Sequence, residues 1–217
     1  MVVVTAEVPA SDRAERGAGA AARLDLTAIV ALASGIASVG RPTLVGVEGF
    51  GGAGKTVFAR RLAHALGRTH LVHLDEFLVE GVISDEDKSD FDRAEFVRRV
   101  LEPAWRGELT EYRTLTGLEG GPGRQVRVPA VRYLIVEGVS AYLGELWRYY
   151  DLRIWVDAPM EAARERAKQR DLRRGIYDSA LWDVWERSEL AYRAKHLPHT
   201  TCDVVFDNGA DHVDLAE

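Results

Sequence analysis

Lys55 and Thr56 stand side by side at the end of GFGGAGKT (49–56). A cation next to a hydroxyl, behind a run of glycines, is the equipment for gripping a chain of phosphates. The glycines fit two patterns. Gly49, Gly51 and Gly54 spell G-x-G-x-x-G, the mark of a loop around a dinucleotide pyrophosphate, while Gly49, Gly54, Lys55 and Thr56 spell G-x-x-x-x-G-K-T, a triphosphate loop. Both patterns need a strand before and a helix after, and both expect an acid about twenty positions on, near Asp75. The lysine and threonine decide between them. An ammonium that reaches the β- and γ-oxygens, beside a hydroxyl for the metal, serves a magnesium-bound triphosphate; a dinucleotide site has no use for either. Gly49, Phe50, Gly51, Gly52, Ala53, Gly54, Lys55, Thr56 and Val57 therefore form the expected ATP-binding loop, with Mg2+ as cofactor.

Phosphoryl transfer needs positioning and charge neutralisation, so the remaining parts can be sought by type. Asp75, in HLDEF, ends an apolar run at the sheet edge where ligands bind; it is the candidate general base for an acceptor hydroxyl, or else a helix cap. Glu76 is expected to point the other way by strand alternation. Glu137 closes YLIVEG and is the candidate carboxylate for Mg2+ together with Thr56, its plainer alternative being a cap. Arg166 and Arg170 lie four apart on one helix face, with Arg164, Arg173 and Arg174 close by. They form either a solvated basic face or a lid of cations over the γ-phosphate. Trp182, Trp185 and Tyr192 read as packing residues of the core or lid.

These residues need a frame. Five short apolar runs read as buried parallel strands: 43–49, 70–76, 131–138, 152–158 and 203–208. Helical period fills the intervals in KTVFARRLAHAL, FDRAEFVRRVLEPAW, MEAARERAKQRDL and 179–196, and a leading helix is expected from Leu24. Strands alternating with helices call for an α/β fold with helices on both faces of a parallel sheet. Residues 1–22 read as a mobile tail and 23–217 as one domain, with 116–129 a glycine-rich loop or hairpin.

Composition narrows the partners. A net charge of −6 carries no basic surplus for nucleic acid. No apolar run is long enough to span a bilayer, and the first residues lack the pattern of a signal peptide. Cys202 is the single cysteine, which excludes an intrachain disulfide and suits a reducing, cytoplasmic compartment. A small-molecule acceptor is the expected partner, and self-association into a homo-oligomer stays open.

Over residues 41–208 this set of motifs resembles the uridine kinase-like branch of the P-loop kinases, a group that includes phosphoribulokinase and pantothenate kinase. GFGGAGKT is similar to the family's glycine loop, HLDEF to its D-x-F/Y element with a catalytic Asp, and YLIVEG to its strand ending in E-G. RERAKQRD resembles its arginine-bearing lid, and HLPHTTCDVVFDN its closing strand. The resemblance implies a P-loop NTPase fold with a five-stranded parallel sheet in the order 2-3-1-4-5. It implies that Lys55, Asp75, Arg166 and Arg170 are catalytic and that the acceptor is a nucleoside such as uridine or cytidine. On the acceptor side, Asp92 resembles an acid that binds ribose hydroxyls, Tyr112 belongs to a Tyr-Asp-Phe element whose acid is here Arg113, and Arg124 matches a family arginine. Arg113 suits an acceptor carrying phosphate or carboxylate. Kinases for a sugar, a vitamin precursor or a nucleotide, and a regulatory nucleotide-binding protein or slow NTPase, remain alternatives.

Overall fold

The computed structural model describes residues 21–78, 91–108, 110–114 and 123–209. The tail expected over 1–22 lies almost wholly outside them. A parallel sheet of six strands, β1 (Ala22–Arg23), β2 (Thr43–Glu48), β3 (Thr69–His73), β6 (Tyr133–Glu137), β7 (Leu152–Asp157) and β8 (Val204–Asp207), runs in the order β1-β8-β7-β2-β6-β3. Helices flank it. The five expected strands fall in the expected order, and β1 adds a sixth outside β8. Two residues carry no periodicity, so β1 was invisible in the sequence. It is pinned by Arg23, which bridges Asp157 at 2.9 Å and Asp207 at 3.0 Å.

β2 is buried at all six positions, as its unbroken apolar run requires in a sheet covered on both sides. Its neighbours β6 and β7 hold it in register through Val45↔Ile135 and Val45↔Leu152, so its end delivers the glycine loop to the middle of the sheet edge. Helix α2 (Lys55–Leu66) starts directly from that loop. Helix α1 (Leu26–Gly35) precedes β2, with Asp25 as its N-cap accepting from the Ala28 amide.

The helical segment after residue 91 has a defect. Helix α3 (Arg93–Phe96) passes through a π-helical turn (Val97–Leu101) into α4 (Glu102–Trp105). Pro103 has no N–H to donate and its ring crowds the carbonyl of Arg99, so the ladder widens just before it. β4 (Glu111–Arg113) and β5 (Gln125–Arg127) pair as a separate two-stranded antiparallel sheet.

After β7, helix α5 (Met160–Arg174) ends at Gly175, which is left-handed with φ 69°, and α6 (Ser179–His196) begins with Asp178 capping the amides of Ala180 and Leu181. The short α7 (Pro198–Thr201) leads into β8.

Candidate active site

The glycine loop curls because two of its residues occupy backbone space closed to other side chains. Gly52 has φ +77°, and a Cβ there would sit 1.9 Å from the Ala163 carbonyl oxygen of α5. Gly54 has φ +92°, with the Asn208 amide 2.3 Å from the place of its missing Cβ. That amide donates to the Ala53 carbonyl at 2.8 Å and fastens the loop to the end of β8. Lys55 is buried and donates to the Phe50 carbonyl across the loop at 2.7 Å. The side chain of Val57, by contrast, is 60% exposed, so only its backbone belongs to the loop.

A cavity of about 220 Å³ opens above the loop. Lys55, Thr56, Asp75, Glu137 and Arg170 all line it, which brings five of the expected groups to one space.

Thr56 donates its hydroxyl proton to Oε1 of Glu137 at 3.0 Å, and His73 Nδ1 approaches the same oxygen at 2.6 Å. Burial alone would raise the Glu137 carboxyl, but the His73 contact, the Lys55 charge and the Thr56 hydroxyl outweigh it and hold Glu137 below its ordinary value. His73 is raised in turn, chiefly by its hydrogen bond to Glu137. A hydroxyl and an ionised carboxylate on one cavity wall are hard oxygen donors of the kind that fits Mg2+.

Asp75 is not on a strand. β3 ends at His73, and Leu74–Phe77 form a 3-10 turn that swings Asp75 onto the cavity wall. Phe77 anchors the turn: its ring packs 5.0 Å from Phe96 and 5.1 Å from Tyr112, and its carbonyl accepts from the Asp92 amide. Glu76 does point away from the cavity, as expected, but the turn and not a strand is the reason. Strand alternation does not apply there, and Glu76 accepts from the Tyr112 hydroxyl and from Arg124, both at 2.9 Å.

Apart from Asp75, the residues expected on the acceptor side do not line this cavity. Asp92 caps α3 by accepting from the Glu95 amide at 2.9 Å, a task for which a short carboxylate at that position is well suited. Tyr112 is buried with its hydroxyl spent on Glu76. Arg124 is paired with Glu76 and largely exposed, and Arg113 is exposed on β4. Tyr112 and Arg124 meet at Glu76, next to the Asp75 turn and off the described cavity wall.

The lid arginines separate. Met160, Arg164, Ala167 and Arg170 form the stripe of α5 that faces the cavity. Arg166 lies off this stripe, with Nη1 3.5 Å from the Asn208 carbonyl, and so does not stand over the phosphate space as expected. Arg170 is steadied by the buried Asp171, which accepts from its Nε at 2.8 Å and from Trp182 Nε1 at 3.1 Å. Trp182 and Trp185 line the cavity; Tyr192 is buried as packing.

Two carboxylates escaped the sequence reading. Glu189 of α6 accepts from the Gly51 amide at 3.0 Å, so a side-chain carboxylate sits on a glycine-loop N–H. The spacing Trp182, Trp185, Glu186, Glu189 places it on the stripe of α6 that faces the cavity, which was the available signal. Glu48, directly before the loop, is 1% exposed and accepts from the Tyr142 amide at 2.6 Å. Burial pushes it up to about 8, against the opposing pull of the Tyr142 amide, Tyr192 and the Lys55 charge.

No protein-family model matches the chain. It is 29% identical over 136 residues to inorganic pyrophosphatase TTM2 of Arabidopsis thaliana, a match covering 60% of this chain and 20% of that protein. The chain thus spans about a fifth of the length of this curated relative. Among solved structures, a provisionally assigned fructose transport system kinase from Silicibacter sp. superposes with a TM-score of 0.67 at 21% identity, over 84% of this chain and 99% of that one. A possible uridine kinase from Bacillus stearothermophilus gives 0.64 at 17% identity, over 84% and 97%. D-glycerate 3-kinase from Cryptococcus neoformans gives 0.64 at 12% identity, over 88% and 95%. At these identities the likeness is one of fold: the chain has the fold of uridine kinase-like P-loop kinases.

Proposed function

We propose that this chain is a Mg2+-dependent phosphotransferase that moves the γ-phosphoryl group of ATP to a hydroxyl of a small molecule, with a nucleoside as the first acceptor to test. The observation that carries this reading is the lining of one cavity, where Lys55, Thr56 and Glu137 share the wall with Asp75 and Arg170.

In this mechanism the loop amides and Lys55 hold the β- and γ-phosphates, and α2 adds the positive end of its dipole. Thr56 and Glu137 hold Mg2+, which when bound neutralises charge on the phosphate oxygens. Asp75 orients the acceptor hydroxyl and takes its proton as the oxygen attacks the γ-phosphorus. The bond from that phosphorus to the bridging oxygen breaks, and ADP leaves with the electron pair. Arg170, held by Asp171, lies over the charge that spreads in the transition state.

ADP release, measured with ATP and Mg2+ against a panel of nucleosides, hexoses and D-glycerate, tests the proposal. Strong stimulation by one acceptor supports a kinase; a slow rate that no acceptor changes supports an NTPase or a binding protein. With the active acceptor in hand, Asp75→Asn is expected to abolish transfer while ATP affinity stays close to that of the wild type. Full turnover in that variant would remove Asp75 from the mechanism.

A further inference from the structure

The metal-side carboxylate is held by a residue that no part of the phosphate-transfer reading requires. His73 and Glu137 are direct partners in the β3–β6 ladder, so both side chains emerge together where these strands end. His73 Nδ1 lies 2.6 Å from Oε1 of Glu137, and Thr56 donates to that same oxygen. Glu137 is 6% exposed at its side chain and His73 30%, so the imidazole flanks the carboxylate from the more open side.

A hydroxyl has one proton and two lone pairs. While Thr56 gives its proton to Oε1, both lone pairs stay available to a cation. Among the described residues, removing the imidazole leaves the Thr56 hydroxyl as the one side-chain hydrogen-bond donor to this carboxylate. The group is then free to turn about its terminal torsion, and the threonine proton turns with it.

We propose that His73 is a positioning residue of the metal site, fixing Oε1 of Glu137 so that Thr56 keeps its lone pairs toward the cation. This rests on the phosphotransferase reading above, in which Thr56 and Glu137 hold Mg2+. Partners of this kind, acting through a first ligand, typically change metal affinity by about 10- to 100-fold.

The test uses the full chain with ADP and Mn2+, reading free Mn2+ by electron paramagnetic resonance. His73→Ala is expected to weaken Mn2+ uptake in the ADP complex about tenfold or more, with ADP affinity in the absence of metal unchanged. His73→Asn places an amide nitrogen close to the position of Nδ1 and is expected to restore most of the affinity. His73→Gln carries its nitrogen one methylene further out and is expected to behave like alanine. Equal Mn2+ affinity in wild type and His73→Ala would overturn the role, as would Asn and Gln variants that both match alanine. Wild-type protein that binds ADP but takes up no Mn2+ would instead overturn the metal site itself, and failure to bind ADP would overturn the phosphotransferase reading.

Discussion

Two buried ionisable residues bracket the glycine loop, and their chemistry differs. Lys55 is buried because its ammonium reaches across the loop to the Phe50 carbonyl, a contact that a phosphate oxygen can replace at little cost. Lys55→Ala is expected to lower kcat by about 10²–10³, since it removes a cation aimed at the transferring group; rates under saturating ATP check this. Glu48 is the opposite case, a carboxyl that burial keeps protonated at neutral pH. Its surroundings are the phenols of Tyr142, Tyr150 and Tyr192, the Lys55 ammonium and the Glu189 carboxylate. The folded value of about 8 lies above the ordinary 4.5, so the folded chain holds the proton more tightly. Stability from this group is therefore full below about 4.5 and is lost as pH climbs through about 8. Glu48→Gln cannot ionise, so the difference in melting temperature between variant and wild type is expected to move in the variant's favour across that window. Thermal melts at pH 5, 7 and 9 read it, and a constant difference would mean that Glu48 titrates normally.

At the scale of elements, α6 competes with the ligand its neighbours are built to receive. Glu189 occupies the Gly51 amide, and a phosphate oxygen would need the same N–H. Glu189→Gln removes the negative charge from the loop and is expected to tighten ATP binding about three- to tenfold, a gain of roughly 0.7–1.4 kcal/mol; calorimetry with ATP and Mg2+ measures it, and weaker binding would show that the carboxylate helps to build the site. The long elements were legible because their patterns are strong. The sequence places α2 at 55–66 and α6 at 179–196, the bounds observed, and β2 and β6 follow from unbroken apolar runs. Short irregular pieces were not. The 3-10 turn at 74–77 continues the apolar run of β3, and nothing local distinguishes it from one more turn of strand. Arg164 and Arg166 are two apart, so which of them faces the cavity depends on how α5 is rotated against the loop. Asp92 is a cap by its short side chain and a ligand by analogy, and only the fold chooses between them.

Taken whole, the sheet has a chemical end and a structural end. The groups assigned to transfer gather where the parallel strands finish, while Arg41 and Asp151 clasp the ends where β2 and β7 begin. Asp151 accepts from both terminal nitrogens of Arg41, at 2.7 and 2.9 Å, and from the Leu44 amide. The guanidinium also lies 3.9 Å from the centre of the Trp105 ring. Asp151→Asn leaves a mostly buried cation without its carboxylate and is expected to cost about 2–3 kcal/mol in urea unfolding, with kcat unchanged; an altered kcat at full stability would contradict this division. The contact between Gly52 and Ala163 carries a further consequence. With no room even for a methyl group there, any side chain at position 52 would force the first turns of α5 away from the phosphate loop. Glu189 reaches the Gly51 amide from α6, beyond the left-handed Gly175 that closes α5, so the loop is touched by both helices: α5 through packing at Gly52 and α6 through a carboxylate at Gly51.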